Sequence, residues 1–579
     1  MYKKMFKEDK NDSILSLIIT LAIFMIAFIK YDLYYELNDD TTIRNILSGV
    51  YSGTQSSLNN QMLYPISIAL TFLYKIAAGI EWFDIMLIAS HFICLYLLLK
   101  TLLSTFNKKT IKCISVVMYV LFVVTFLLEN IVLATYTVTS GMLAVTAIFV
   151  FIADKKSQMI KKVTVCVLLA VISCCIRSEM LLMMLPFICL AGLYCWSVED
   201  HIFTKENITK YIGTVFTLLV CLGIVFVVDN LAYSEDGWQE YRRFFDARTT
   251  VYDYTGIPDF DDNQVFYENN ISYEEYLLFT SYNYILDEDI NADMMEDMAE
   301  YAKGIQDNTI SRIKLAVYNY YYKIVHSGVT RYGVLAVIGY LLVLLTISQK
   351  SVIRIILTTG TVFGVRSVIW LYLLYNGRVV DRITCPLYWG EFAILIAVFL
   401  TEITKSKDIT KYKRVFNWIL LSCISLIFVI FSFKSIDQLS GRYNYISERA
   451  EKMETLQSYC NDNADNFYLM TVLSMGVYPE KVFDGNIEPN NLDLLGGWAV
   501  KSPLHKEKLL NYGIECTEDA LTKKDNVYII QKSDYIAEGT SSQFEWLELY
   551  YNSKGKNVEV VQVDTIIDNI GVYKVNLLN

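Results

Sequence analysis

The chain has 579 residues, 54% of them hydrophobic and only 19% charged, with a mean hydropathy of +0.34. A soluble globular protein carries charge on nearer a quarter of its residues, so this composition excludes a purely soluble protein and indicates a polytopic membrane protein. The net charge of −11 has meaning only once it is divided between the two sides of a bilayer, and no nucleic-acid partner is expected.

Apolar runs such as 14–29, 133–152 and 211–228 are each long enough to cross roughly 30 Å of hydrocarbon at 1.5 Å per residue. The first is read as a span and not as a cleaved signal, because Tyr31, Tyr34 and Tyr35 follow it as an interfacial belt and no small-residue cleavage site does. An outer loop follows to about residue 63. The stretch 63–78 begins at Tyr64-Pro65 and contains Lys75. Counting it as a span would put the Lys108/Lys109 loop outside, so it is predicted to lie on the outer surface with Trp82 and Phe83 as anchors. Further spans are predicted at about 84–105, 112–128, 132–153, 163–178, 179–197, 210–230, 329–348, 352–375, 385–403 and 414–434. With the first helix at 13–31 this gives about eleven. The topology places Lys3, Lys4, Lys7 and Lys10, then Lys100, Lys108, Lys109 and Lys112, then Lys155, Lys156, Lys161 and Lys162, then Lys205, Lys210, Lys350, Arg354, Lys405, Lys407, Lys411, Lys413 and Arg414 inside, as the positive-inside rule requires.

Residues 231–326 form an acidic, tyrosine-rich outer segment that is too polar to span and is expected to form short helices and loops, such as the stretch Asp293 to Lys303. Residues 435–579 have the composition of a soluble domain. Buried strands are predicted at 467–472, 527–531 and 558–563, an edge strand at 571–575, and helices at 445–459 and 542–551. The organisation is therefore a transmembrane domain, 1–434, with outer loops 31–83 and 231–326, followed by a small extracytoplasmic α/β domain, 435–579. The expected setting is a bacterial plasma membrane, with the N-terminus cytoplasmic. Most of the twelve cysteines lie in apolar runs and read as small hydrophobes. Cys460 and Cys516 are the outer pair that a disulfide would join.

Charge near a membrane is expensive and marks candidate chemistry. On this topology the candidates fall mostly on the outer side. Asp39 and Asp40 follow the first helix, and Arg44 stands one helical turn beyond Asp40, where the two would pair. Glu129 ends a span, Arg177 and Glu179 flank a tight turn between two short helices, and Asp246 and Arg248 open the acidic segment. Arg378, Asp381 and Arg382 precede Pro386. Guanidinium groups fork onto phosphate oxygens, and a carboxylate beside them takes a proton from a hydroxyl or holds a divalent cation. Each group also has a plain structural role open to it, as a solvated first-turn acid, an intramembrane ion pair or a lipid-headgroup contact.

The order of these features resembles the GT-C superfamily of membrane glycosyltransferases that use polyprenyl-phosphate sugars, such as protein O-mannosyltransferases and the aminoarabinose transferase of lipid A. The resemblance covers about residues 13–434: helix one, an acidic outer loop at Asn38-Asp39-Asp40, a Pro-led interfacial helix at Tyr64-Pro65, a charged turn at Arg177-Ser178-Glu179, and a C-terminal outer domain. It implies a GT-C-like fold, with Asp39 or Asp40 as catalytic base and, with a magnesium or manganese ion, as metal ligand. Arg378, Arg382 and Arg177 would then contact the donor phosphate. Arg44, Glu129, Glu179, Asp246 and Arg248 would support them. The implied partners are a polyprenyl-phosphate-linked sugar, a glycan, lipid or protein acceptor in the cell envelope, and the membrane lipids. Two readings from other classes stand beside it: a polysaccharide polymerase or ligase using the outer arginines, and a non-enzymatic transporter or assembly scaffold.

Overall fold

A computed structural model describes residues 2–260, 264–306, 309–327, 331–346, 352–405, 411–476, 479–484 and 489–578. Among them, ten helices are long and apolar enough to cross a membrane, as a polytopic membrane protein requires. They are Lys10–Lys30, Trp82–Thr105, Lys109–Phe126, Tyr136–Ala153, Met159–Ile176, Ser178–Ser197, Lys205–Ala232, Val352–Tyr375, Asp381–Thr404 and Ile419–Asp462. The eleventh predicted span, 329–348, is described only over Arg331–Leu344, 14 residues. Lys350 and Lys407, predicted inside, lie outside the described residues.

The helix Tyr64–Ile76 has 13 residues, about 20 Å at the helical rise, which falls short of a hydrocarbon core. It turns Ile68, Phe72 and Ile76 outward and buries Ser67, Leu70 and Tyr74. Phe83 is no interfacial anchor. It opens the next helix and is completely buried. Tyr34 and Tyr35 are likewise buried, so they are not a belt.

Two helices form the centre of the bundle. Tyr136–Ala153 is buried along its whole length, which explains why its sequence is apolar on every face. Asp381–Lys405 packs against it, with Gly141 seated on Pro386; a Cβ at Gly141 would come within 2.4 Å of the proline ring. Gly141→Ala is therefore expected to destabilise the protein by about 1–3 kcal/mol, because a methyl is forced into a filled contact. A lowered midpoint of thermal unfolding in detergent would register it.

One end of the bundle gathers basic connections, where Lys112 and Lys156 both face Asp12 of the first helix. The other end carries the α/β domain. Strands β1 (Tyr34–Tyr35) and β2 (Leu133–Ala134) pair in parallel there. Tyr35 N donates to Glu480 O at 2.9 Å, and Val482 N donates to Leu33 O at 2.8 Å. The segment after the first helix is thus held between the bundle and a loop of the C-terminal domain.

That domain holds β3 (Phe467–Met470), β4 (Leu492–Leu494), β5 (Val527–Lys532), β6 (Val558–Ile567) and β7 (Ile570–Leu577) in the order β4-β3-β5-β7-β6. The β3 strand pairs in parallel with β4 and β5, while β7 is antiparallel to β5 and β6. The strand predicted as an edge, 571–575, is internal: β7 is the second arm of a hairpin and slots between β5 and β6. Its partner β6 is the edge and is largely exposed, contrary to the buried strand expected at 558–563. Among the described residues Cys460 and Cys516, the two that could have paired, are both free thiols.

The acidic segment has the expected short helices, Ala292–Ile305 among them, and it packs on the α/β domain. Phe244, Val251, Leu278, Met295 and Met298 share a core with Leu469, Val527, Trp546 and Tyr551. Its last helix, Thr309–Ser327, packs along Val352–Tyr375, with Tyr320 Oη 2.5 Å from Ser367 Oγ, and exposes Ile313, Val317, Tyr318 and Tyr321. The span predicted at 414–434 and the helix predicted at 445–459 are one element, Lys411–Asp462, of 52 residues.

Candidate functional site

The helix Asn38–Ser48 carries both aspartates in its first turn, where free N–H groups favour acidic side chains. It ends at Gly49, whose φ of +90° and close approach to Gln55 N leave no room for a side chain. Pairing of β1 with β2 brings this first turn against the start of Tyr136–Ala153. Asp40, 0% exposed, accepts a hydrogen bond from Tyr136 N at 2.7 Å through Oδ1, while Oδ2 has no hydrogen-bond partner among the described residues. Burial raises the Asp40 carboxyl well above the usual carboxylate range. The Tyr136 amide opposes that rise, the charges of Asp39 and Glu36 add to it, and the charge of Arg382 opposes it. Asp39 differs: it is half-buried, makes no side-chain hydrogen bond or ion pair among the described residues, and lines a crevice.

Arg44 does not pair with Asp40. Asp40 is turned to the Tyr136 amide, and the guanidinium of Arg44 reaches Glu480 at 2.6 Å and lies over the Tyr35 ring. Arg44 therefore ties the first helix of this region to the C-terminal domain.

Arg177 is the single residue between Met159–Ile176 and Ser178–Ser197. Its Nη1 donates to Tyr136 Oη at 2.7 Å and to Gln61 Oε1, and its Nε lies 3.1 Å from Glu179. Burial works against its charge, but Tyr136, Glu179 and Asp39 more than compensate and hold it protonated. Arg378 follows Gly377 (φ +69°) and pairs with Asp253 at 3.0 Å, above the Tyr254 ring. Arg382, in the first turn of Asp381–Lys405, makes no hydrogen bond or ion pair among the described residues, and its charge acts on Asp40. Asp39, Asp40, Arg177, Glu179, Arg378 and Arg382 thus gather at the domain-bearing end of the bundle, linked through Tyr136 and Tyr254.

The remaining candidates separate. Glu129 belongs to an ion bridge: Arg442 of the long helix pairs with Glu129 and, at 2.7 Å, with Glu36. Asp246 lines a separate surface cleft of 630 Å³ with Arg242 and Lys303. Two residues on, Arg248 turns into the crevice of Asp39. Among the described residues no three His, Cys, Asp or Glu side chains gather as a metal set. A divalent ion at Asp39 and Asp40 would have to take most of its oxygen ligands from elsewhere.

The crevice beside Asp39 measures 190 Å³ and is walled by the C-terminal ends of β3 and β4, with Glu480, Asp493, Trp498 and Lys508. None of these four was singled out in the sequence, because they lie far along the chain with no motif spacing. His505 closes the wall behind Asp493. Its Nδ1 accepts from Lys501 N at 3.2 Å, so the ring proton sits on Nε2. Burial pushes its pKa down from the ordinary 6.5 to about 4. Unfolded chains take up this proton near pH 6.5 and the folded protein only near pH 4. Stability is therefore full above pH 6.5, and up to about 3 kcal/mol of it is lost as pH falls through that window. Unfolding midpoints measured from pH 7 to 4 should show this slope, and His505→Gln should flatten it.

Charge also lies deeper in the bundle. Glu391, 0% exposed, accepts from Tyr340 Oη at 2.8 Å and lies 3.3 Å from Arg366. Glu402 pairs with Arg354 at 2.9 Å and accepts from Tyr194. Arg366 and Glu391 stand inside apolar runs of the sequence, whereas Arg354 and Glu402 stand near the ends of their helices.

Compared with protein-family models, curated proteins and solved structures, the chain matches none.

Proposed function

We propose that the chain is a GT-C-like membrane glycosyltransferase that moves a sugar from a polyprenyl-phosphate donor to a cell-envelope acceptor on the outer face. The observation that carries this reading is the position of Asp39, an uncommitted carboxylate with the Arg177 charge on one side and an open crevice on the other. Asp39 takes the proton of an acceptor hydroxyl. The oxygen attacks the anomeric carbon, the bond from that carbon to the donor phosphate oxygen breaks, and its electron pair leaves with the phosphate. The single displacement inverts the anomeric centre. Arg382 is free to fork onto the departing phosphate, with Arg177 and Arg378 held behind it by Glu179 and Asp253. Asp40 positions the helix by its bond to Tyr136. Asp39 and Asp40 are the residues that would hold a magnesium or manganese ion, which would there offset charge on the departing phosphate.

Three guanidinium groups exceed the needs of one monophosphate. This favours, as the second reading, a polymerase or ligase acting on lipid-diphosphate-linked glycans. Transfer assayed in reconstituted membranes separates the two. Loss of transfer in Asp39→Asn supports the glycosyltransferase. Full activity in the Asp39→Asn/Asp40→Asn double variant, with loss in Arg378→Ala, would replace it with the second reading.

A further inference from the structure

The crevice beside Asp39 lies where three distant stretches meet: the first turn of Asn38–Ser48, the acidic segment at Arg248 and Tyr282, and the carboxyl ends of β3 and β4. Carboxyl ends of parallel strands are where open α/β sheets bind ligands, beside the strand at which the chain reverses its direction of travel. Here that strand is β3, since the chain moves from it to β4 on one side and then crosses to β5 on the other.

Two polar atoms show that the crevice is built for a ligand and is not only a packing gap. Thr41 and Asp493 are each 5% exposed and line it. Thr41 Oγ1 and Asp493 Oδ2 have no hydrogen-bond partner among the described residues. Asp493 Oδ2 lies 3.5 Å from Lys508 Nζ and 3.6 Å from His505 Nε2, too far from either for a well-formed hydrogen bond. Leaving two buried polar atoms unsatisfied is costly unless something else supplies the bonds.

The rest of the lining says what kind of ligand fits. Leu495-Gly496-Gly497-Trp498 forms a loop after β4. Gly496 passes so close beneath Tyr282 that a Cβ would meet the Tyr282 carbonyl at 2.0 Å, and Gly497 N donates to Tyr284 Oη at 3.1 Å. The loop is thereby fixed, and it sets the half-buried Trp498 in the wall with Tyr282. Charges in the lining are largely matched: Glu480 by Arg44, and Asp493 by Lys508. Two lining charges have no ion-pair partner among the described residues, and they are of opposite sign: Asp39, and Arg248, whose guanidinium lies over the Tyr252 and Tyr282 rings. With no net charge left over, that balance favours a neutral ligand over an anionic one. A small neutral molecule with apolar C–H faces and a rim of hydroxyls satisfies both the aromatic wall and the two orphaned oxygens.

We infer that this crevice is the acceptor site and that it takes the terminal sugar ring of a neutral glycan. Thr41 donates to, and Asp493 accepts from, the ring hydroxyls, Trp498 packs on the ring face, and one hydroxyl is left at Asp39. This rests on the transferase reading for the role of the site, but binding itself does not require transfer.

The test uses the full-length protein in nanodiscs, probed against an array of neutral, amino and anionic glycans, with the best neutral glycan then titrated by calorimetry. The expected result is binding to neutral glycans with weaker or no binding to uronate and phosphorylated ones. Thr41→Val keeps the shape of the side chain and should weaken binding about tenfold, the scale of one lost hydrogen bond to a buried group. Trp498→Ala should weaken it further, and Trp498→Phe should restore part of the loss; unfolding midpoints identify any variant that fails to fold. Binding to no neutral glycan, preference for anionic glycans, or unchanged affinity in Thr41→Val would each overturn the inference. If neutral glycans bind as expected but Asp39→Asn transfers at full rate, the transferase reading fails and the glycan site stands. If transfer needs Asp39 but the acceptor KM is unmoved by Thr41→Val, the site fails and the transferase stands.

Discussion

Asn in place of Asp39 should lower sugar transfer by about two to four orders of magnitude, the contribution of a positioned general base. The expectation follows from the contrast within the Asp39-Asp40 pair. Asp40 is sealed under the start of Tyr136–Ala153, has one oxygen on the Tyr136 amide, and is pushed by burial away from the ionised form. It is poorly placed to meet a substrate. Asp39 opens onto the crevice and makes no side-chain hydrogen bond or ion pair among the described residues. Asp40→Asn keeps an acceptor for the Tyr136 amide and should retain most of the transfer activity, whereas Asp40→Ala orphans that amide and should destabilise the protein by about 1–3 kcal/mol. Initial rates in proteoliposomes, normalised to folded protein, check both. Equal losses in the two Asn variants would mean that the aspartates act as one unit.

Glu391→Ala should cause the largest loss of stability of any single change described, about 3–5 kcal/mol, because it strands the Arg366 guanidinium in the interior. Counting along the helices, Arg366 lies about 13 Å and Glu391 about 15 Å in from the domain-bearing end. An apolar interior offers the stranded guanidinium no ready replacement for the lost partner. The Glu391→Leu/Arg366→Met double variant removes both charges and should recover most of the loss, since an apolar pair of similar volume avoids the cost of desolvation. Thermal unfolding in detergent, compared across the single and double variants, reports the coupling. Additive effects would show that the pair contributes nothing as a pair.

Most helices were legible in the sequence because membrane spans announce themselves by length and apolarity alone. The boundaries at Val352–Tyr375 and Ser178–Ser197 fall where hydropathy and the Arg177 turn put them. The short stretch after Tyr64-Pro65 was separable from the spans because only one assignment kept the basic loops on one side. Long-range partnerships were not legible. Arg44 stands one turn from Asp40 in sequence, but its partner Glu480 is 436 residues away, and only the folded β1 segment brings them together. The same holds for the wall of the crevice. Trp498, Asp493 and Lys508 carry no motif, and their meaning comes from lying at the ends of β3 and β4. Strand order failed for a related reason: local pattern describes a strand's faces, but not which neighbours flank it, so β7 read as an edge. Arg366 and Glu391, by contrast, were plainly visible as charges within apolar runs, and attention to the outer surface left them aside.

The 52-residue helix Lys411–Asp462 contains no proline and extends for about 78 Å at the helical rise. It enters the bundle at one end and finishes under the sheet, so there is no joint at which the α/β domain can swivel independently. Bundle and domain therefore tilt as one body, and the space beside Asp39, walled by the first turn of Asn38–Ser48 and by the ends of β3 and β4, keeps its shape as the protein leans.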